Sequence, residues 1–290
     1  CDSTAICFIG NNGSGKSSVL EGINDAFYIA KHIATIEPSY NFDIAYNIGA
    51  DEFRIQCDSS GFTIEKNGKK DIKNIDSNLP KTVFTYYAGE TDRLNRFADR
   101  YKSERVNYIK SIKQEKDIAE FKFSTSFSLK DFKLAFFVNY LYDTDCFNKI
   151  KQYIKFKNVK PNILFRLGKP DWASSRSDKN NLWNAQGFQK EFYEKLITAD
   201  AEGSSACVRL DEDTKEYQDE IWLGVLHSNV FKKIASSPLD LFIQLKALVD
   251  VNLLQDVYIT VASIDDKEYD IDFFSEGEKQ LTNLIMLLSL

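Results

Sequence analysis

The chain has 290 residues, a formal net charge of −6 and 43% hydrophobic residues. That is enough apolar material for one large domain or two modest ones, which excludes wholesale disorder. The negative balance excludes a uniformly basic nucleic-acid binder but leaves room for a local basic surface. No signal peptide is recognisable and no apolar run is long enough to span a bilayer, so a cytoplasmic protein is expected. Five scattered cysteines (Cys1, Cys7, Cys57, Cys146, Cys207), with no C-x-x-C pair, fit reduced thiols better than a disulfide frame or a zinc site. The chain begins at Cys1 and its only methionine is Met286, so it reads as an excerpt of a longer protein.

The elements begin with Ala5-Ile6-Cys7-Phe8-Ile9, an apolar run suited to a buried strand. It leads into Gly10-Asn11-Asn12-Gly13-Ser14-Gly15-Lys16-Ser17-Ser18, which fits the P-loop pattern G-x-x-x-x-G-K-[ST]. Glycines let the backbone turn tightly and present N–H groups to phosphate oxygens, the lysine reaches the β- and γ-phosphates, and the first serine hydroxyl ligates Mg²⁺. Leu20, Ile23 and Phe27 then recur at helical spacing, so a helix follows the loop and adds its positive end. Strand, glycine loop and helix together are the context this motif requires.

Three strand-like runs come next, Phe42–Ile48, Glu52–Cys57 and Phe62–Lys66. Asp58-Ser59-Ser60-Gly61 and Asn67-Gly68 supply turn chemistry, which predicts an antiparallel meander. Thr82–Tyr87 reads as a buried strand ending at Ala88-Gly89-Glu90. From Thr91 a charged amphipathic stripe predicts one long helix or two, to about Phe121. Asp131–Tyr142 and Cys146–Phe156 read as helices, Asn162–Leu167 as a strand, and Asp171–Asn184 as a loop anchored by Trp172 and Trp183. Helical spacing is expected around Phe188–Leu196, over Ile221–Ile234, and over Leu239–Val249. Strands return at Val257–Val261 and Tyr269–Phe273, around the acidic turn Asp265-Asp266-Lys267, before an apolar helix to Leu290. The expected division is an N-terminal part at 1–90, a mainly helical insertion at 91–255 and a C-terminal part at 256–290.

The second motif, Ser275-Glu276-Gly277-Glu278-Lys279-Gln280, opens that last helix. A serine hydroxyl and a glycine N–H in a first helical turn can hold an oxyanion, and Ser275 with Glu278 three residues on is also a capping box. The motif resembles the ABC ATPase signature, with Phe274 in the leucine place and Glu276 replacing the first glycine. With the P-loop it marks a resemblance to ABC-type ATPase heads of the RecF, SMC and OLD group. Tyr87-Ala88-Gly89-Glu90-Thr91-Asp92-Arg93-Leu94 resembles the Y-x-G-E-x-x-R-L segment of PtuA-like defence ATPases of bacteria, found in Septu and some retron systems.

The resemblance implies an α/β P-loop NTPase head with an antiparallel β subdomain and a large helical insertion. It implies ATP and Mg²⁺ as ligands, held by Asn11 to Ser18, with Ser275, Gly277 and Glu278 meeting the γ-phosphate across a head-to-head homodimer. Lys16 and Ser17 would be catalytic, Ser17 and Glu90 would stand near the metal, and the partner would be an effector such as an HNH-type nuclease or a toxin. A repair or chromosome-maintenance ATPase, and a nucleotide-gated scaffold with negligible turnover, are the rival readings. Such heads need a Walker B strand ending in Asp-Glu after the signature helix, and the chain stops before one arrives. Val257–Asp266 precedes the signature and lacks the Asp-Glu step, so it does not qualify; His32 and His227 read as surface or packing residues rather than catalysts.

Lys149, Lys151, Lys155, Lys157, Lys160, Arg166 and Lys169 form a run without an acidic residue, interleaved with Phe147, Tyr153, Phe156 and Phe165. The run is either a DNA- or RNA-binding surface, with lysines on phosphates and aromatics on bases, or a solvated face whose aromatics turn into the core.

Overall fold

The computed structural model describes residue 11 and residues 15–71, 75–80, 82–86, 95–111, 123–127, 131–199, 203–210 and 219–290. These gather into two compact units, the described residues of 1–101 with 122–126 and those of 102–121 with 127–290. Each is a mixture of helices and sheets, and the ladders of the three larger sheets are all antiparallel.

In the first unit α1 (Lys16–Lys31) lies against a four-stranded sheet, in order β1 (Phe42–Ile48), β2 (Asp51–Asp58), β3 (Gly61–Lys66) and β4 (Lys69–Lys70). The meander forms where the turn residues require it. Asn67 and Gly68 both have positive φ, 51° and 73°, the requirement of the tight hairpin turn joining β3 to β4. Ser60 N–H donates to Asp58 Oδ1 at 2.7 Å across the β2–β3 turn. On β2 Phe53, Ile55 and Cys57 point inward while Glu52 and Arg54 point out, the two-residue alternation of a half-buried strand. Ala26 and Ala30 of α1 meet Ile55, Ile64 and Leu79 in the core, the last just after the short α2 (Ile75–Asn78). β5 (Thr82–Tyr86) pairs with β6 (Phe123–Phe127), a strand the sequence reading does not anticipate.

The boundary between the units falls inside α3 (Asn95–Ser111). The second unit is built around α4 (Phe132–Tyr142), a helix apolar on nearly every side and therefore a core helix. Around it lie α5 (Asp145–Ile154), α7 (Ser228–Ile234), α8 (Pro238–Asp250) and α9 (Glu276–Leu288). One sheet runs β11 (Leu254–Tyr258), β8 (Leu164–Gly168), β10 (Glu220–Val225), β9 (Cys207–Arg209); another runs β13 (Glu268–Asp270), β12 (Thr260–Ser263), β7 (Phe156–Val159). α6 (Phe188–Ile197) completes the unit.

Several expectations change here. Ile221–Val225 is the strand β10, paired with β8 and β9, and only Ser228–Ile234 is helical. The helix expected to reach Phe156 stops at Ile154 because Lys155 turns into the left-handed region, φ 62°. The single strand expected at Val257–Val261 divides at Ile259 between two sheets. Among the described residues of 127–255, β7, β8, β9, β10 and the start of β11 lie between the helices, and 256–290 fall in the same compact unit. Trp183 is buried, as an anchor should be. Among the described residues no helix is long and apolar enough to cross a membrane, and Cys57, Cys146 and Cys207 are free thiols.

Candidate functional site

The first candidate site is the N-terminus of α1. Gly15 is its N-cap, in the left-handed region at φ 86°. A Cβ there would meet no atom within 4 Å, so the dihedral rather than crowding calls for glycine. An N-cap glycine brings no side-chain acceptor to the first-turn N–H groups, and no acidic residue stands in that turn. Neither the cap residue nor an acidic side chain in the first turn therefore offsets the positive end of the helix, about half an elementary charge. Lys16 Nζ donates to the carbonyl of Asn11 at 2.8 Å, folding the side chain back along the loop. Ser17 is half-buried, and Asn11 and Ser18 are exposed. Asn12, Gly13, Ser14 and Glu90 lie outside the described residues, as does the strand expected at Ala5–Ile9.

The face α1 buries follows its apolar spacing only in part: Phe27 packs against the core and Ile23 is half-buried. Leu20 is 44% exposed, whereas Glu21 and Asn24 are buried together with Ala26, Ile29 and Ala30. His32 caps the far end of the helix, its ring 4.6 Å from that of Tyr28. His227 is an exposed N-cap of α7. Both are packing or surface residues.

The second candidate is the N-terminus of α9. Ser275 N–H donates to Glu278 Oε2 at 2.8 Å, Ser275 Oγ donates to the same oxygen at 2.7 Å, and Glu278 N–H donates to Ser275 Oγ at 3.3 Å. The signature-like serine thus caps its own helix in a complete capping box. Gly277 sits in the first turn with helical backbone, and a Cβ on it would meet nothing within 4 Å. Neither its dihedral nor crowding among the described residues accounts for a glycine there. Phe274, in the leucine place, is buried against Phe132, Phe136, Phe156 and Tyr269, so the motif is rooted in the core. Its neighbour Phe273 is 80% exposed.

A cleft of about 410 Å³ lies beside this helix, with Lys133, Asp256, Asp272 and Lys279 in its wall. Lys133 Nζ donates to Asp256 at 2.9 Å and Asp272 at 2.6 Å, and lies 5.3 Å from the Tyr258 ring centre. Burial alone would lower the pKa of this ammonium, but the two aspartates hold it above the ordinary lysine value. Burial pushes the neighbouring Asp270 carboxyl upward. The arrangement ties α4 to the short turn that precedes Ser275. A second ionic group missed by sequence reading is buried deeper. Lys246 Nζ meets Asp131 at 2.6 Å and Asp250 at 3.7 Å, and Arg105 Nε meets Asp250 at 2.7 Å. Only the Lys246–Asp250 spacing of four residues on α8 was visible beforehand; the other contacts are long-range.

Within the basic run three of the four aromatics turn inward and three of the seven cations meet carboxylates. Phe147, Phe156 and Phe165 are core residues and only Tyr153, 62% exposed, is open to stacking. Lys157 pairs with Asp266 at 2.7 Å, Lys160 with Glu268 at 2.7 Å and Arg166 with Glu220 at 3.5 Å. The acidic end of the rejected Val257–Asp266 segment is thus a surface turn meeting a lysine. Among the described residues no group of His, Cys, Asp and Glu is arranged to hold a metal ion. No protein-family model matches the chain, and no curated protein matches it.

Proposed function

We propose that the chain is the ATP-binding and ATP-hydrolysing head of an ABC-type ATPase of the RecF, SMC and OLD group, with an α/β P-loop NTPase fold. It closes on ATP with a second copy of itself and controls an effector, a nuclease or toxin, in bacterial anti-phage defence. The observation that carries the reading is the start of α1. There a G-x-x-x-x-G-K-S sequence opens a helix through a left-handed glycine, with no side-chain acceptor and with Lys16 folded along the loop.

Among the described residues, Gly15, Lys16 and Ser17 support a triphosphate as the ligand. Lys16 would reach the β- and γ-phosphates, and N–H groups along Asn11 to Ser18 would cradle them. Ser17 Oγ would hold Mg²⁺, with Glu90 nearby; the metal supplies neutralisation of the phosphate charge during transfer. Catalysis of this class is positioning and charge stabilisation, so the lysine and the loop matter more than any single acid–base group. Gly277 supports the signature reading, because a bare backbone at the start of α9 suits close approach by a ligand held in a second copy. Ser275 would have to exchange its hydrogen bond to Glu278 for one to the γ-phosphate.

The test is ATP turnover by the protein, with Lys16→Ala as control and mass in solution measured with and without ATP. Turnover that falls by about a hundredfold or more in the variant, with ATP-dependent dimerisation in the parent, is the expected result. ATP binding without turnover would replace the enzyme with a nucleotide-gated scaffold. No ATP binding would overturn the reading.

A further inference from the structure

Of the seven basic residues between Lys149 and Lys169, Lys157, Lys160 and Arg166 are already paired with carboxylates. Lys151 is different. It projects from α5 into a pocket of about 380 Å³ whose wall also carries Asn148, Asn158, Ser228, Asn229 and Lys232. Lys232 comes from α7, and its Nζ stands 5.8 Å from the Tyr142 ring centre, a cation–π contact that leaves its protons available. Among the described residues neither lysine makes an ion pair, and the side chains of Asn158, Ser228 and Asn229 make no hydrogen bond. One carboxylate, Asp143, is in the wall and accepts from Asn148 Nδ2 at 3.1 Å. The pocket thus keeps a net positive charge in a chain whose own net charge is −6.

Counting donors narrows the occupant. Two ammonium groups carry six N–H bonds, and two amides and a hydroxyl add more. A carboxylate offers about four lone-pair sites, fewer than this wall can fill. A phosphate group offers three or four oxygens and more charge, and charge-assisted bonds to it are the strong ones. Phe147 and Phe156 line the pocket from the core side, which lowers the dielectric around whatever sits there.

We propose that this pocket, between α5, β7 and α7, is a binding site for a phosphate group, centred on Lys151 and Lys232 and separate from the loop that precedes α1. The phosphate arrives either as the backbone of a nucleic acid or as a small phosphate ester. The site takes one cation of the basic run, Lys151, joins it to Lys232 of α7, and uses Phe147 and Phe156 as wall rather than as stacking platforms.

The experiment uses the chain carrying Lys16→Ala, so that phosphate bound at the P-loop does not contribute. Binding of inorganic phosphate is followed by calorimetry, and binding of a fluorescein-labelled 12-nucleotide single-stranded DNA by anisotropy. The same chain is then compared with added Lys151→Gln and Lys232→Gln, which remove the charge and keep a polar side chain, and with added Lys149→Gln, which lies outside the pocket. Each pocket substitution is expected to weaken binding about tenfold, the worth of a charge-assisted hydrogen bond, with unchanged thermal unfolding; Lys149→Gln stays within about twofold. Binding of DNA assigns the backbone as the source, and binding of phosphate alone assigns a small ester. Binding of neither probe, or equal affinity in the pocket variants and the parent, overturns the proposal.

Discussion

Asn139 and Met286 are 147 residues apart in the chain and are joined by a hydrogen bond at 3.1 Å, from the buried side-chain amide of the first to the backbone carbonyl of the second. The same amide donates to Ala135 O at 2.9 Å, and its oxygen accepts from Thr144 Oγ at 2.6 Å and Ser289 Oγ at 2.5 Å. All four hydrogen-bonding positions of a fully buried asparagine are therefore used. The side chain clamps α4, the start of α5 and the end of α9, and so fixes the helix whose first turn carries Ser275 and Gly277.

Replacing Asn139 by Ala removes these bonds, leaves buried partners wanting, and opens a small cavity. The expected cost is roughly 2–4 kcal/mol. Urea unfolding followed by circular dichroism checks it, and a loss under about 0.5 kcal/mol would mean that water replaces the amide without penalty.

The buried ions Asp131, Lys246, Asp250 and Arg105 make a second prediction. Burial alone would lower the pKa of Lys246, but Asp131 and Asp250 hold it above the usual lysine value, so it stays charged. Lys246→Met takes the ammonium away from two carboxylates and is expected to cost roughly 3 kcal/mol or more, while Lys246→Met with Asp131→Leu recovers most of the loss. The readout is a double-mutant cycle in urea. Additive effects of the two substitutions would show that the pair is not coupled.

The meander of the first unit was legible because its signals are local. Asn67-Gly68 admits the tight turn, and Phe53, Ile55 and Cys57 alternate with polar residues. The start of α1 was legible for the same reason, since its N-cap glycine and its first turns are contiguous in the chain. What failed depended on partners far along the chain. Ile221, Leu223 and Val225 suit a helix or a strand, and pairing with Leu167 and Phe165 decides for the strand. Leu20 lies on the predicted apolar stripe and is exposed, while Glu21 and Asn24 are buried, because the face a helix hides depends on what covers it. Lys157 and Lys160 read as free cations until Asp266 and Glu268 arrive from more than a hundred residues away. The capping box at Ser275 was readable to the residue, since all its parts lie within one turn.

Tyr46 predicts a pH dependence of the first unit. Its hydroxyl donates to Asn78 O at 2.7 Å, and its ring packs edge-on to Phe27 and flat on Phe53. Burial raises its pKa to about 12. An unfolded tyrosine ionises near pH 10, so the unfolded chain loses its proton first and stability falls as pH rises between about 10 and 12. A tyrosinate absorbance titration of Tyr46→Phe against the parent should be missing one group that titrates near the upper end. A missing group that titrates near 10 instead would refute the assignment.

Gly277 separates stability from function. Its backbone is helical and a Cβ meets nothing, so Gly277→Ala should stabilise the isolated chain by about 0.5 kcal/mol through lower unfolded-state entropy. If a second copy brings a γ-phosphate against this turn, the added methyl stands in its path. ATP-dependent dimerisation should then weaken by about tenfold or more, equivalent to about 1.4 kcal/mol. The two effects have opposite signs, so a misfolded variant cannot imitate the result. Sedimentation with and without ATP, beside a urea melt of the same variant, reads both. A variant that is more stable and dimerises as well as the parent would show that the turn faces solvent in the working protein, and would leave Ser275 and Glu278 as a helix cap alone.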